Sequence, residues 1–168
     1  GELPKTAAPS THEFINFFDT ADPLLYIGLS SQLSATMQNA LFAADQLKKD
    51  DLYIIDSLNL STGIGLLVLK AFDLHKAGLS TEEIIDQIKT LRTKVKTAFV
   101  IDTMEYLHKG GRCSGLQAVV GSLLQIRPII HVQTDGTLGV LDKVRGSREK
   151  ALNALIGKFK NNLPNIDM

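Results

Sequence analysis

This 168-residue chain has few of the residues that would assign a protein to a class at once. It has a single cysteine, Cys113, so no disulfide can form within the chain, and a reducing cytoplasm is the expected location. The lone cysteine and four scattered histidines leave no metal-ligand spacing, so neither a metal site nor a cofactor is predicted. Tryptophan is absent.

An excess of one charge and long apolar runs are also missing. The 18 basic residues are balanced by 18 acidic ones, which argues against a general nucleic-acid-binding protein. The apolar runs are too short to span a bilayer, so no membrane insertion is expected, and residues 1–5 have no signal-peptide character. With 44% apolar and 21% charged residues, the composition is typical of a soluble globular protein.

The chain does have a regular alternation of apolar strands and amphipathic helices. Three short apolar runs, at 24–29, 52–55 and 98–101, are separated by helical patterns, and capping boxes open two helices at Ser10 and Ser80. This alternation predicts an α/β fold whose first domain has a parallel sheet with flanking helices.

The pattern changes after residue 111. A helix is predicted at 114–124, followed by a hairpin with its turn at 135–136 and by a final helix. These elements are too few for a core of their own, so they predict the start of a second, smaller α/β domain. The expected domains are 1–112 and 113–168, and the chain is expected to be incomplete at both ends.

Polar side chains follow each of the three predicted strands. Because parallel strands end at one edge of a sheet, these side chains are expected to lie close together: Ser31, Ser34, Asp56, Ser57, Asp102 and Thr103. The first strand is the most informative, because a helix begins after it among the hydroxyls of Ser30, Ser31, Ser34 and Thr36. A helix N-terminus offers unpaired N–H groups and partial positive charge, which suit a carboxylate or a phosphate. Serine is also a common N-cap, so capping stays an alternative to ligand binding.

Several motifs stand in a characteristic order. Residues 6–10 are TAAPS, residues 30–36 are SSQLSAT, and residues 102–112 are DTMEYLHKGGR, with further matching segments at 121–129 and 143–146. This ordered set resembles the DegV family of bacterial fatty-acid-binding proteins, whose motifs are TSQPS, SSxLSGT and DTLEYLxxGGR. The last motif is the most specific of the three, and the resemblance covers nearly the whole chain.

The resemblance implies two α/β domains with a long-chain fatty acid held between them and its carboxylate bound by Thr6 and Ser34. Ser31 and Ser57, which follow predicted strands, are further ligand-binding candidates. The resemblance also implies that the protein presents the fatty acid to a partner kinase, which makes an acyl phosphate for phospholipid synthesis, and is not itself an enzyme. Arg112 is the candidate contact to that kinase, with a solvated charge as an equal alternative.

The chain also departs from the family it resembles. Ala7, Ala8 and Ala35 replace residues of the first two motifs, and Gly28 stands where many members have His. The family is longer at both ends, so the chain resembles a fragment. Candidate walls for the acyl tail, each interpreted more readily as ordinary core, are Phe14, Phe17, Ile64, Leu67 and Leu123.

Two other functions are compatible with the residues. A hydrolase or phosphotransferase would use a cluster of Asp56, Asp102, Ser34 and Arg112, but no His or Lys follows the key strands to activate a nucleophile. Both aspartates are better interpreted as residues that hold neighbouring loops. A protein-interaction module with an incidental lipid would bind its partner equally well with and without that lipid.

Overall fold

The structure, a computed structural model, describes residues 5–111, 116 and 126–162, without the side chains of His108 and Asn162. Its helices are α1 (Thr11–Phe18), α2 (Thr36–Leu47), α3 (Ser61–Lys76), α4 (Thr81–Leu91), α5 (Glu105–Lys109) and α6 (Arg148–Asn162). Its strands are β1 (Leu24–Gly28), β2 (Leu52–Asp56), β3 (Ala98–Val100), β4 (Ile126–Val132) and β5 (Leu138–Arg145). The helix predicted at 114–124 lies outside the described residues.

A parallel pair of strands, β1 and β2, carries the first half of the chain, with Leu24 opposite Leu52. Successive side chains of a strand point to opposite faces of the sheet. On one face Leu25 and Ile27 pack into a core with α3 and α4, and on the other Leu24 and Tyr26 pack with α1 and α2. The predicted α/β fold with a parallel sheet and flanking helices is confirmed.

Local signals set the ends of the helices in this half. The Ser10 hydroxyl accepts the Glu13 N–H at 3.2 Å, and the Glu13 carboxylate accepts the Ser10 N–H at 2.7 Å. These two bonds form the predicted capping box of α1, and Ser80 with Glu83 forms the same box at α4. After α3 the chain reverses at Gly78, whose φ of +85° is in the left-handed region that glycine adopts without strain.

The second sheet is antiparallel and contains β3, β4 and β5 in that order. The prediction that residues 98–101 continue the parallel sheet is wrong, because Phe99 pairs antiparallel with Ile130 of β4. A short apolar run carries no information about its partner, and β4 offers β3 a strand whose Ile129 and Ile130 are fully buried. The predicted turn at Asp135-Gly136 joins β4 to β5, and α6 packs on the sheet through residues that include buried Ala151.

Contacts divide the chain into two compact units. One contains the described residues of Glu2–Thr97 with the hairpin turn Thr134–Thr137, and the other contains the described residues of Ala98–Gln133 with those of Leu138–Met168. This grouping places β3 and α5 with the antiparallel sheet. The domain boundary predicted between residues 112 and 113 stays a prediction.

The residues considered as tail walls have different environments. Phe14 and Leu67 are buried in the cores on opposite faces of the parallel sheet, and Ile64 packs partly buried against the core that contains Leu67. Phe17 is 61% exposed, so its interpretation as core is wrong. Phe14 and Phe18, four residues apart, fill the inner face of α1, which leaves Phe17 on a different side. Leu123 lies outside the described residues. Among the described helices, none is long and apolar enough to cross a membrane.

Candidate functional site

The loop after β1 is anchored by Ser30, which is fully buried. The Ser30 N–H donates to the Asn59 carbonyl at 2.9 Å, and its hydroxyl donates to the Gly136 carbonyl at 2.8 Å. The same hydroxyl accepts the Gln32 N–H at 3.3 Å. Because its hydrogen bonds all hold the loop, Ser30 has a structural role.

Ser31, the next residue, is exposed at the carboxyl edge of the parallel sheet. Its N–H lies 3.3 and 3.4 Å from the two carboxylate oxygens of Asp56. The same carboxylate accepts the Leu58 N–H at 2.9 Å, so Asp56 holds two loops, as predicted. Ser31 and Asp56 are therefore brought together as the shared strand edge predicts.

The start of α2 lies just beyond this loop. Its N-cap is Ala35, whose methyl side chain cannot accept a hydrogen bond from the first N–H groups of the helix. The half-buried Ser34 hydroxyl accepts the Thr36 N–H at 3.2 Å and lies 2.7 Å from the Thr36 hydroxyl. Ser34 therefore accepts a hydrogen bond from one of the first N–H groups of α2, as the alternative interpretation of a capping serine predicts. The next N–H groups of this helix end and its dipole still favour an anion.

The segment that contains Thr6 is attached to the same helix. The Asn39 side-chain amide donates to the Pro9 carbonyl at 2.7 Å, and Asn39 is three residues beyond Thr36 in α2. Thr6 itself is exposed. This bond holds the segment before α1 against the first turns of α2, whereas the joint use of Thr6 and Ser34 by one carboxylate stays a prediction.

Ser57 is fully buried in the loop that follows β2. Its hydroxyl accepts the Asn59 N–H at 3.0 Å and donates to the Asn59 carbonyl at 3.2 Å. Leu58 in this loop and Ser61, the first residue of α3, have φ values of +51° and +43°, which non-glycine residues rarely adopt. A ligand role for Ser57 stays a prediction, and it would have to replace hydrogen bonds that hold this strained loop.

Asp102 does not belong to this edge, because β3 lies in the other sheet. Its carboxylate is 3.1 Å from Arg127 and 3.5 Å from Arg148, and its side chain is 52% exposed. The expectation that Asp102 and Thr103 end at the same sheet edge as Asp56 is therefore wrong. The shared sheet edge that would join Asp102 to Asp56 in the hydrolase or phosphotransferase alternative is therefore not formed. Arg112, a further member of that alternative's cluster, lies outside the described residues.

Arg92 is a site residue that the sequence did not reveal. It follows α4, and one of its guanidinium N–H groups donates to the Asp56 carbonyl at 2.7 Å. Its Nε is buried with no hydrogen-bond partner in the described part of the chain. The cation thus fixes the backbone of the residue whose carboxylate holds Ser31. An arginine at a helix end is common, and no local signal relates it to a residue 36 positions away.

Gly28, which ends β1, occupies a crowded position. A Cβ on Gly28 would lie 2.6 Å from the Met37 methyl and 2.6 Å from the Tyr26 ring. A histidine at this position would require both side chains to move. Burial raises the pKa of the Tyr26 hydroxyl, so Tyr26 stays neutral beside this strand end. Within residues 5–111, 116 and 126–162 no group of three or more His, Cys, Asp or Glu side chains is arranged to hold a metal ion.

Comparison with known proteins gives a consistent result. A family model described as "Uncharacterised protein, DegV family" matches residues 1–166. A DegV domain-containing protein of Caldanaerobacter subterraneus is 36% identical over 96% of this chain and 58% of its own length. A protein of Thermotoga maritima named "Fatty acid-binding protein" is 34% identical over 98% of this chain and 58% of its own length. The chain thus spans a little over half the length of these curated relatives.

Solved structures share the fold. The Fatty Acid Kinase (Fak) B3 protein of Streptococcus pneumoniae, solved with linoleic acid, superimposes with a TM-score of 0.77 at 31% identity. The match covers 93% of this chain and 57% of that one. The arrangement of a parallel sheet with helices and a small antiparallel sheet is therefore shared with a protein that binds a fatty acid.

Proposed function

This chain belongs to the DegV family, and we propose that it binds a long-chain fatty acid and presents it to a partner kinase. The kinase would form the acyl phosphate for phospholipid synthesis. Two similar proteins support the proposal. The Thermotoga maritima protein is named "Fatty acid-binding protein", and the Streptococcus pneumoniae Fatty Acid Kinase (Fak) B3 protein was solved with linoleic acid. The protein itself would act in the bacterial cytoplasm as a carrier, without a cofactor and without catalysing the transfer.

The observation that carries the proposal is the start of α2, where a helix without a side-chain cap on Ala35 opens beside the carboxyl end of β1. A buried carboxylate is costly unless several donors satisfy it. In this proposal Ser34 and Thr6 are the principal donors, with Ser31 and Ser57 beside them. Hydroxyls and helix N–H groups satisfy a carboxylate without a permanent ion pair, which leaves it available for phosphorylation.

The contact to the kinase is proposed at Arg112, after the glycine pair Gly110-Gly111 of the most specific motif. A positive side chain there would suit the kinase surface or the acyl phosphate, since a guanidinium binds phosphate with two parallel hydrogen bonds. Placing the phosphate contact on a different segment from the carboxylate donors would let the carrier hold its cargo before the kinase arrives.

The double variant Thr6→Ala/Ser34→Ala tests the carboxylate site. Hydrogen bonds to a charged group contribute about 1.5–3 kcal/mol each, so loss of both should lower the affinity for oleate at least about a hundredfold. Titration of delipidated protein with oleate measures this affinity, and mass spectrometry of a denaturing extract identifies any lipid retained from cells. The matched control Thr20→Ala/Thr90→Ala removes two exposed hydroxyls whose bonds are to Asp22 and Asp86, and should leave affinity unchanged.

The possible results separate the parts of the proposal. Wild-type affinity in the Thr6→Ala/Ser34→Ala protein would remove these residues from the site while fatty-acid binding itself stands. The proposed function would be contradicted by wild-type protein that binds no added oleate and retains no fatty acid from cells.

A further inference from the structure

We infer that Gly136, in the turn between β4 and β5, is a positioning residue for the proposed carboxylate site; this inference rests on the proposed function. The Gly136 carbonyl accepts the Ser30 hydroxyl at 2.8 Å in a buried hydrogen bond. The two residues are 106 positions apart in sequence but lie in the same compact unit. A segment far along the chain thus fixes the loop that contains Ser31 and Ser34.

The direction of the Gly136 carbonyl is set by the turn itself. Gly136 has a φ of +88°, in the region that favours glycine. The Asp135 carboxylate accepts both the Thr137 N–H at 2.9 Å and the Thr137 hydroxyl at 2.7 Å, which closes the turn. A turn that is closed by its own bonds presents one fixed acceptor to Ser30.

Gly136 also leaves no space between two loops of the site. A Cβ on this residue would collide with the Ser30 hydroxyl oxygen and would lie 3.2 Å from the Leu58 Cα. Leu58 donates its N–H to the Asp56 carboxylate, which also accepts the N–H of Ser31. Gly136 therefore packs against both loops whose bonds converge on the backbone of Ser31.

Displacement of the Ser30 hydroxyl would act on both sides of Ser31. The Ser30 hydroxyl accepts the Gln32 N–H at 3.3 Å, while the Ser30 N–H is bonded to the Asn59 carbonyl at 2.9 Å. Moving that hydroxyl loosens the short segment that contains Ser31 and leads to Ser34. The carboxylate donors would then lose their fixed geometry without any change in their chemistry.

The variant Gly136→Ala tests this inference, with Gly78→Ala as its matched control. Gly78 has a φ of +85°, and a Cβ there would meet nothing within 4 Å, so it carries the same backbone strain without the collision. We expect oleate affinity to fall about tenfold in Gly136→Ala and to stay at the wild-type value in Gly78→Ala. Equal affinity in Gly136→Ala and Gly78→Ala would overturn the inference.

Two additional measurements keep the test decisive. Ser30→Ala removes the other partner, and in that background Gly136→Ala should cost less affinity, because the atom it collides with is gone. Should Gly136→Ala fail to fold, Ser30→Ala by itself must weaken oleate binding about tenfold, and an unchanged affinity would overturn the inference. Loss of binding in Ser34→Ala with full binding in Gly136→Ala would reject this inference and retain the proposed function.

Amide hydrogen exchange tests the same contact without any lipid. The Ser31 and Gln32 amides should exchange faster in Gly136→Ala than in Gly78→Ala, since only the first variant disturbs the Ser30 hydroxyl. Equal exchange rates in the two variants would overturn the inference, whether or not the protein binds oleate. Absence of oleate binding in the wild type would separately contradict the proposed function.

Discussion

Two segments of this chain have nearly the same sequence at the end of an apolar run, Ile55-Asp56-Ser57 and Ile101-Asp102-Thr103, yet they fold into different environments. Asp56 accepts two backbone N–H groups, and the serine that follows it is fully buried. Asp102 is 52% exposed and pairs with two arginines. The same local pattern therefore organises loops where the strand joins a parallel pair, and makes surface ion pairs where it joins an antiparallel one.

We expect the largest change in the free energy of unfolding from a substitution that disturbs the loop after Asp56. Gly63, in the first turn of α3, has no room for a Cβ, which would lie 2.5 Å from both the Asn59 Cγ and the Thr97 hydroxyl. Asn59 is 1% exposed and its side chain bonds to the Leu60 N–H and the Val95 carbonyl, so it cannot yield freely. Gly63→Ala should lower the free energy of unfolding by about 3 kcal/mol, measured by urea denaturation.

Gly65→Ala, in the same helix, is the control for that variant. A Cβ at Gly65 would meet nothing within 4 Å, so alanine should stabilise the protein by up to about 1 kcal/mol through helix propensity. If both variants stabilised the protein, the loop after Asp56 would be soft, and the contrast with the surface around Asp102 would fail.

The two aspartates can be compared directly. Asp56→Ala leaves the N–H groups of Ser31 and Leu58 without their acceptor, and should reduce the free energy of unfolding by about 2 kcal/mol. Asp102→Ala removes the ion pairs of an exposed carboxylate with half-buried Arg127 and exposed Arg148, and should reduce the free energy of unfolding by less than about 1 kcal/mol. Urea denaturation of both variants and the wild type gives these differences.

The dependence of stability on salt concentration distinguishes the loss of hydrogen bonds in Asp56→Ala from the loss of ion pairs in Asp102→Ala. The loss in Asp102→Ala should shrink at high ionic strength, because exposed charges are screened, whereas the loss in Asp56→Ala should persist. Equal losses with equal salt dependence would show that the sheet does not determine the role of the strand-end aspartate.

The sequence predicted what depends on nearby residues. The capping boxes at Ser10 and Ser80 and the turn at Asp135-Gly136 were identified because each signal lies within three residues of its partner. Strands β1 and β2 follow from their apolar runs. At the candidate site, the meeting of Ser31 with Asp56 followed from a general property of parallel sheets.

The parts that could not be predicted depend on distant partners. The three-residue strand β3 could pair in either sheet, and its choice of β4 is determined by residues about 30 positions further on. The Ser30–Gly136 and Arg92–Asp56 bonds join residues 106 and 36 positions apart. The aromatic cluster of α1 predicts that Phe17 is core, because the sequence does not show which phenylalanine faces outward. Short α5 was not anticipated.

The smallest expected effect belongs to the antiparallel sheet and depends on pH. Hydrogen bonds from Lys158 and from the Lys143 N–H lower the pKa of Asp142 below its ordinary value of 3.8. A carboxyl group with a lowered folded-state pKa stabilises the fold above its unfolded pKa, and that contribution is lost as pH falls through the folded value. Because the Asp142–Lys158 pair is 40% exposed on both sides, its contribution is at most about 0.5 kcal/mol. The stability difference between wild type and Asp142→Asn should therefore be present at pH 7 and vanish below the lowered pKa. If the stability difference persisted below that pKa, packing of the Asp142 side chain and not its charge would be the cause. The surface of the antiparallel sheet would then depend on fixed local contacts, as the loops around Asp56 do.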